Sequence, residues 1–475
     1  MLFHSPVFLF VFLPLVIFCY FCLRQFRPIG SGNTILLLFS YIFYLYGAAG
    51  FIVILLISTS FDYGFGLLMV RKPGQRRLWL TLSISLNVGL LAYFKYSNFL
   101  IGEVNALFTM AGYTPFDWLP VVLPIGISFF TFQKLSYIVD VYRKKVQPLT
   151  SFIDFAMYVA MFPQLVAGPI VRFGTIAGQL RSRIESWDGF YRGCLRFCWG
   201  LGKKVLVANA CGRIADHIFQ LGPEFVDTRL AWLGAVAYTL QIYFDFSAYS
   251  DMAIGLGALF GFKFPENFNR PYSSVSITDF WRRWHMSLSR WFRDYLYIPL
   301  GGNRYGLTRT CVNMGVVCLL CGLWHGAQWT FVIWGIYHGL FLIAERITGF
   351  REMTPDKLPL VRRGATLLVI LLGWVLFRCD DMSRALDFYL AMFTITKLPV
   401  DYDLSLVLNH RDIFFTMVGA GVFFLPRDFS VFDLFFDTTP RRRLLWSALL
   451  ILVVLPYCMA LIVGTPMNPF IYYRF

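Results

Sequence analysis

The sequence predicts an all-α polytopic membrane protein. Hydrophobic residues make up 57% of the 475-residue chain and charged residues only 15%, whereas a soluble domain carries about 25% charged residues. Apolar runs recur along the whole chain, and several reach the roughly 20 residues that a spanning helix needs. They lack the alternation of barrel strands, which leaves helices as the spanning structure. We expect roughly eleven spans, and the apolar runs include residues 7–23, 35–46, 51–70, 78–100, 230–243, 316–344 and 444–463.

The first apolar run, residues 7–23, is expected to remain as a membrane anchor. No Lys or Arg precedes it and no small-residue cleavage site follows it, so it lacks the features of a secretory signal. Further along, the basic clusters at residues 71–77 and 143–145 alternate with turns that contain no Lys or Arg. The positive-inside rule then predicts that both chain termini lie outside the cytoplasm.

The net charge and the cysteines are also consistent with a membrane protein. The formal net charge of +15 comes from basic residues in short loops between apolar runs, which indicates a cytoplasmic membrane face and no nucleic-acid partner. The ten cysteines lie mostly in apolar runs, and the pairs Cys19/Cys22 and Cys318/Cys321 lack the flanking residues of a zinc or redox site. We therefore expect inert thiols and no metal.

No repeat or long linker divides the chain, which predicts one membrane domain over residues 1–475. The longest polar interruption, residues 263–310, is expected to be a cytoplasmic interfacial segment. Within it, Ser276 and Asp279 fit a helix-capping pattern, and aromatic and apolar residues then recur at helical spacing. This pattern predicts a basic amphipathic helix in the headgroup layer. The helix either contributes residues to catalysis or serves only as an interfacial anchor. The stripe comprises Trp281, Trp284, Leu288, Phe292 and Tyr295, and the arginines largely off it are Arg282, Arg283, Arg290 and Arg293.

Two of the six histidines are candidate functional residues. His285 lies on the aromatic stripe, and His325 lies deep in an apolar run, where an ionisable side chain is costly unless it faces a cavity or a partner. A histidine that titrates near neutrality can take the proton of a hydroxyl that attacks a thioester, although a neutral structural imidazole is the alternative. On a continuous helix Gln328 would be a neighbour of His325, three residues away, and no carboxylate lies at helical spacing from His325. His338 falls on a different face of a continuous helix and is expected to be structural.

Two further sets of polar residues interrupt apolar runs. Asp245 and Asp251 need partners, and an ion pair between helices is at least as well supported as a catalytic role. Asp251 and Gln328 are candidates for the lining of a channel through the membrane. Four more candidates share one helix face after residues 123–130: Gln133, Ser136, Tyr137 and Asp140.

Several soluble-enzyme motifs are absent from the sequence. It contains no GxSxG, GxxxxGK[ST], GxGxxG or HExxH pattern, so serine hydrolysis of the soluble type, nucleotide hydrolysis and zinc proteolysis have no support.

Four motifs in order resemble the membrane-bound O-acyltransferase family, and within it the bacterial alginate O-acetyltransferase branch. The likeness extends from the first span to the last residues. The motifs are LPIGISFFTFQ at residues 123–133, FPQLVAGPI at 162–170, FWRRWHMSLS at 280–289 and LWHG at 323–326.

That resemblance implies a ring of spanning helices around a central funnel, with interfacial and re-entrant helices. It implies that His325 is the catalytic residue and His285 the second family histidine, with no bound cofactor and with acetyl-CoA as the acyl donor. It also implies three partners in a bacterial inner membrane: membrane lipid, an extracytoplasmic SGNH-hydrolase-like acetyltransferase, and a polysaccharide synthase or export complex.

The C-terminal tail, residues 465–475, is expected outside the cytoplasm. It resembles the tyrosine-containing tail of related D-alanyl transfer systems, which implies that Tyr472 relays the acyl group as a phenol ester. Tyr473 stands beside it where that pattern has phenylalanine, and an aromatic interfacial anchor is the alternative for both.

Taken together, these features predict an O-acyltransferase that moves acetyl across the inner membrane for an exported polysaccharide such as alginate or cellulose. One alternative is another acceptor: peptidoglycan, teichoic acid or a lipid. The other is a non-enzymatic transporter, because polar helix faces also mark substrate pathways, although the sequence lacks the internal repeat that many transporters show.

Overall fold

The computed structural model describes residues 1–24, 29–350, 358–394, 408–426, 429, 439–464 and 470. This part of the chain is helical and contains no strand, which confirms the all-α prediction. Six helical stretches within it are long and apolar enough to cross a membrane, and a shorter apolar helix covers Phe8–Leu23. The total of roughly eleven spans stays a prediction. The six stretches are Gly30–Arg71, Pro73–Met110, Gly306–His325, Trp329–Ile347, Pro359–Arg378 and Pro440–Gly464.

Large apolar side chains cover the outside of these stretches. In Pro73–Met110 only 11% of the most apolar window is buried, and Leu82, Val88 and Leu100 are exposed. Such a surface is costly in water but not in hydrocarbon, where a helix satisfies its backbone hydrogen bonds internally. The protein is therefore a multi-pass membrane protein.

The chain forms two compact units, residues 1–193 with 256–265 and residues 194–255 with 266–475. The prediction of a single membrane domain is not tested by this division. The helices of the first unit are Leu13–Arg24, Ile29–Ala48, Ile52–Arg71, Arg76–Met110, Ile127–Tyr142, Phe152–Ala160, Phe162–Leu165 and Phe173–Arg181.

Buried polar contacts join three helices of the first unit. Asp62, on Ile52–Arg71, accepts hydrogen bonds from Ser83 Oγ at 2.5 Å and from Asn87 Nδ2 at 2.8 and 3.0 Å, both on Arg76–Met110. Lys134 Nζ, on Ile127–Tyr142, lies 3.5 Å from the same carboxylate. Because an unpaired charge in hydrocarbon is costly, this set favours one arrangement of the three helices.

The second unit holds most of the residues that the sequence marks as functional. Its core is aromatic: the ring of Trp374 lies 4.9 Å from that of Trp284 and 6.0 Å from that of Trp334. The helices that lie wholly or mostly in this unit are Trp187–Gly202, Asn209–Gln220, Thr228–Leu259, Ile277–Arg283, Met286–Phe292, Gly306–His325, Trp329–Ile347, Pro359–Arg378, Met382–Phe393, His410–Ala420, Pro440–Leu449 and Leu455–Gly464.

Candidate active site

His325 is the last residue of the helix Gly306–His325, here called the histidine helix. Gly326 follows with an extended backbone (φ −165°), and the next helix begins only at Trp329. Gln328 therefore does not continue the helix of His325, contrary to the expectation from sequence spacing. Its side chain is exposed, and it is not among the residues that line the cavity described below.

The histidine helix and Trp329–Ile347 pack with their backbones in close contact. A Cβ built on Gly335 would lie 2.5 Å from the carbonyl oxygen of Cys318 and 3.2 Å from Cα of Gly322. Only glycine permits this approach. Gly322 and Gly335 therefore let the backbones of the two helices come into close contact.

Three aromatic rings surround the buried imidazole of His325. Its ring centroid lies 4.8 Å from that of Trp324, 5.1 Å from that of Trp334 and 5.0 Å from that of Phe377, each in an edge-to-face arrangement. Such rings exclude water and orient the imidazole. The sequence-based prediction that His325 is buried among apolar residues is confirmed.

His338 lies beside the same cluster, although the sequence analysis separates it from His325. Its ring centroid is 5.0 Å from those of Trp281 and Trp334, and both histidines line one cavity. The expected separation rests on one continuous helix. Because the chain breaks at Gly326 and returns on a second helix, the helical-wheel argument does not apply across the break.

The segment that carries His285 is two short helices, Ile277–Arg283 and Met286–Phe292, and not the single helix expected. His285 lies at the junction in a left-handed conformation (φ 43°), which is uncommon for a residue other than glycine. Trp284 and Leu288 are buried inside the protein, so the centre of the segment does not lie on its surface. The arginines do lie away from the stripe, since Arg282, Arg290 and Arg293 are exposed.

Two caps fix the start of the first short helix. Ser276 Oγ accepts a hydrogen bond from the backbone N–H of Asp279 at 3.0 Å, which confirms the predicted cap. Glu345, on Trp329–Ile347, accepts from the backbone N–H groups of Ile277 at 2.6 Å and Thr278 at 2.8 Å. A carboxylate at a helix N-terminus also complements the helix dipole, so Glu345 ties this short helix to the helix of His338.

A cavity of about 210 Å³ lies among these elements. All three histidines, His285, His325 and His338, line it, and none of its lining residues is a carboxylate. Most of the lining is aromatic or aliphatic, which suits a small apolar acyl group. The described residues contain no cluster of His, Cys, Asp or Glu that could hold a metal ion.

Several polar atoms of this lining have no hydrogen-bond partner among the described residues. They are both ring nitrogens of His338, Nε2 of His285 and the indole Nε1 atoms of Trp281 and Trp334. Buried polar groups are rarely left unpaired in folded proteins. Trp281, Trp334 and His338 were not predicted from the sequence to form a group. The available signal was an ionisable His338 within an apolar run, the same signal that singled out His325.

Burial lowers the pKa of His285 to about 3, so its imidazole is neutral at physiological pH. Its Nδ1 lies 3.0 Å from Oδ1 of Asn267, and its ring packs edge to face on Phe246 with centroids 4.6 Å apart. Asn267 was not among the residues singled out from the sequence, because it lies in a polar loop that has no recognisable pattern.

The two aspartates of Thr228–Leu259 are in ion pairs. Asp251 lies 2.8 Å from Arg196 and 2.6 Å from Lys203, and Asp245 lies 2.6 Å from Lys204. This is the interhelical pairing that the sequence offers as the alternative to a catalytic role. A place for Asp251 in the lining of a funnel stays a prediction.

The other candidate lining residues lie in the first unit, all buried on the helix Ile127–Tyr142. Tyr137 packs on the rings of Phe155 and Phe173, with centroids 4.5 and 4.9 Å apart. The backbone oxygen of Gln133 accepts a hydrogen bond from Ser136 Oγ at 2.7 Å. A channel along Gln133, Ser136, Tyr137 and Asp140 is not tested by these contacts.

Tyr472 and Tyr473 lie outside the described residues. Phe470, the nearest described position, is buried, with its ring 4.7 Å from that of Tyr249 and 6.0 Å from that of Phe246. Phe246 also contacts His285. Phe470 is thus separated from the second histidine by one aromatic ring.

Comparison with known proteins finds similarity to membrane-bound acyltransferases. The model of the MBOAT family, described as the membrane-bound O-acyltransferase family, matches residues 143–370. The chain is 47% identical to the probable alginate O-acetylase AlgI of Pseudomonas putida over 399 residues, 83% of this chain and 80% of that protein. It is 36% identical to the peptidoglycan O-acetyltransferase of Helicobacter pylori over 421 residues (81% and 78%). It is 30% identical to the teichoic acid D-alanyltransferase of Bacillus subtilis over 236 residues (46% and 58%).

Proposed function

Because this chain belongs to the membrane-bound O-acyltransferase family and resembles alginate O-acetylases, we propose that it moves acetyl from acetyl-CoA across the membrane onto an exported polysaccharide of the alginate type. The observation that carries the proposal is the position of His325. It ends a spanning helix, and it lines a cavity with two other histidines and no carboxylate.

In the proposed reaction His325 acts as the general base. It takes the proton from a hydroxyl whose oxygen attacks the carbonyl carbon of the acetyl thioester. A C–O bond forms, the C–S bond breaks, and the proton passes from the imidazolium to the leaving sulfur. The products are an acetyl ester and a free thiol, so no other reactant is needed. The aromatic rings around His325 hold its imidazole in place and keep competing water out.

In the proposed reaction, buried N–H groups of the cavity wall stabilise the negative charge of the transition state. The indole N–H groups of Trp281 and Trp334 have no partner among the described residues. Negative charge develops on the carbonyl oxygen as the hydroxyl attacks, and N–H donors in a site without water stabilise it strongly. We assign these two groups, with His338, to the thioester carbonyl, and His285 to the reaction as the second histidine.

The acceptor of the first transfer is proposed to be Tyr472, whose phenol ester then passes acetyl to an extracytoplasmic SGNH-hydrolase-like partner and on to the polymer. Support comes from Phe470, which is buried against Tyr249 and Phe246 and belongs to the same tail. The location in a bacterial inner membrane belongs to the same proposal and is supported by the similarity to alginate O-acetylases. The orientation with both termini outside the cytoplasm is supported by the basic loops.

The test measures acetyl on secreted polysaccharide from cells that carry wild-type protein, His325→Ala, Tyr472→Phe or His217→Ala. His217 is the matched control because it is not a lining residue of the cavity. We expect His325→Ala to abolish acetylation at normal protein level and normal polymer yield, and His217→Ala to retain it. Loss in Tyr472→Phe would support the relay. Full acetylation in His325→Ala would reject the mechanism.

The same variants distinguish the proposal from two alternatives, a transporter and an acyltransferase with a different acceptor. A transporter would lose polymer export in His325→Ala, whereas an acyltransferase loses only the acetyl groups. A second acceptor is favoured by the 36% identity to the Helicobacter pylori peptidoglycan O-acetyltransferase. Acetyl groups on peptidoglycan that disappear in His325→Ala, while the polysaccharide is unchanged, would assign peptidoglycan as the acceptor.

A further inference from the structure

The side chain of Asn267 has only one possible orientation. The backbone N–H of Ser287 lies 3.3 Å from its Oδ1, and the Ser287 hydroxyl donates to the same atom at 2.9 Å. A backbone N–H can only donate, so the atom that faces it is the amide oxygen and not the nitrogen. The amide nitrogen then donates to Ser250 Oγ at 3.1 Å, which completes the set.

This orientation decides the protonation of His285. Its Nδ1 lies 3.0 Å from Oδ1 of Asn267, and an amide oxygen can only accept. Nδ1 therefore carries the hydrogen, and in the neutral ring the lone pair is on Nε2. That nitrogen is buried and has no partner among the described residues.

The main chain around Asn267 holds the His285 junction on both sides. Met286 N–H donates to the carbonyl oxygen of Asn267 at 2.9 Å, and Asn269 N–H donates to the carbonyl oxygen of Arg283 at 2.9 Å. These two bonds flank His285, whose left-handed backbone persists only where its surroundings enforce it. The loop itself is tied down by Glu266, whose carboxylate accepts from Arg196 at 2.5 Å.

We propose that Asn267 is a positioning residue that holds His285 as the Nδ1–H tautomer, so that its Nε2 can relay the proton between His325 and the leaving sulfur. This inference rests on the proposed function. His325 takes the hydroxyl proton and passes it to Nε2 of His285, which returns it to the leaving sulfur. An amide suits this task better than a carboxylate, because it fixes the tautomer without favouring the charged ring.

The other charged or titratable groups near His285 do not take over the role of Asn267 in holding its tautomer. The titratable or charged side chains that line the cavity with it are His325, Cys318 and Cys321 from the histidine helix, His338 from the next helix, and Arg293 and Tyr297 from its own segment. Asp251 and Glu266, the neighbours in sequence of Ser250 and Asn267, are both paired with Arg196. A carboxylate at position 267 would thus be the first to contact the His285 ring.

The test is Asn267→Asp, which keeps the shape and the accepting oxygen but adds a negative charge. An opposite charge at this distance raises a histidine pKa by about one to three units, from about 3 towards the range of about 4 to 6. The protonated ring cannot accept at Nε2, so activity is lost as the pH falls through this range. Membranes from polymer-producing cells are given radiolabelled acetyl-CoA, and acetyl on the polymer is counted from pH 5 to pH 8.

We expect the rate of Asn267→Asp relative to wild type to fall from pH 8 to pH 5, about twofold for a raised pKa near 5 and about tenfold for one near 6. Asn269→Asp is the matched control, since it adds the same charge in the same loop at an exposed position, and its relative rate should not change with pH. The double variant His285→Gln with Asn267→Asp should show no pH dependence beyond that of His285→Gln. A flat ratio for Asn267→Asp would overturn the inference.

Should Asn267→Asp fail to accumulate, Asn267→Ala tests the same inference. It removes the amide oxygen that faces Nδ1 of His285, so the Nδ1–H tautomer is no longer held. We expect a several-fold lower maximal rate with an unchanged KM for acetyl-CoA, and an unchanged rate would contradict the inference. Absence of acetyl transfer by wild-type membranes would instead reject the proposed function itself.

Discussion

Single buried side chains set the character of the cavity, and His338 is the least expected of them. Its ring contacts Trp281 and Trp334, with centroids 5.0 Å apart in both cases. Neither ring nitrogen has a partner among the described residues. A side chain needed only for packing would be better apolar at this position, because an unpaired buried polar group costs about 1–3 kcal/mol. The nitrogens are therefore expected to contact the substrate.

We predict that His338→Leu accumulates in the membrane as well as wild type but transfers acetyl about 5- to 150-fold more slowly, which corresponds to about 1–3 kcal/mol. His338→Gln, which keeps a donor and an acceptor, should recover part of the rate. The measurement is the acetyl transfer rate per amount of solubilised protein. Wild-type activity in His338→Leu would show that the ring only packs.

Among the helices, the contact between the histidine helix and Trp329–Ile347 places His325 and His338 side by side. It depends on Gly335, where an added Cβ would meet the carbonyl oxygen of Cys318 at 2.5 Å. That neighbour is backbone and cannot move without shifting the helix. Both histidines would move with such a shift.

We predict that Gly335→Ala lowers the thermal unfolding midpoint of the detergent-solubilised protein, with a cost of about 1–3 kcal/mol from overpacking. Gly315→Ala on the histidine helix is the control, since the nearest atom to its added Cβ is Ile343 Cδ1 at 3.9 Å. That variant should be neutral or up to about 1 kcal/mol more stable, because alanine favours helix. Equal midpoints for both variants would contradict the close contact.

At the scale of the whole molecule, the proposed reaction requires the donor and the acceptor to reach one buried cavity from the two sides of the membrane. If acetyl-CoA delivers its acetyl group to this cavity, the donor must lie against the cavity lining, which includes Cys318 and Cys321. Cys311 is on the same helix but not in the lining. Labelling of these native cysteines can therefore report on donor binding.

We predict that a non-hydrolysable acetyl-CoA analogue slows maleimide labelling of variants that retain only Cys318 or only Cys321. Labelling of the variant that retains only Cys311 should be unaffected, and mass spectrometry of membranes with and without the analogue measures all three rates. Addition of the analogue to opposite faces of sealed vesicles identifies the side of entry. Unchanged labelling at both lining cysteines would place the donor elsewhere.

The sequence was enough to predict the membrane setting, the all-helical architecture, the burial of His325 and the outward position of the arginines near Trp284. These properties follow from local composition and periodicity, because hydrocarbon excludes charge and accepts helices wherever apolar residues run on for long enough.

Where the helices stop and which side chains meet became visible only in the folded protein. The break after His325 brings His338 into the same cavity, and the junction at His285 depends on Asn267, eighteen residues earlier in the chain. Helical spacing cannot anticipate either, since both depend on contacts between segments that the periodicity treats as independent. The physical reason is that a buried polar atom must find its partner in space, and that partner is set by packing and not by distance along the chain.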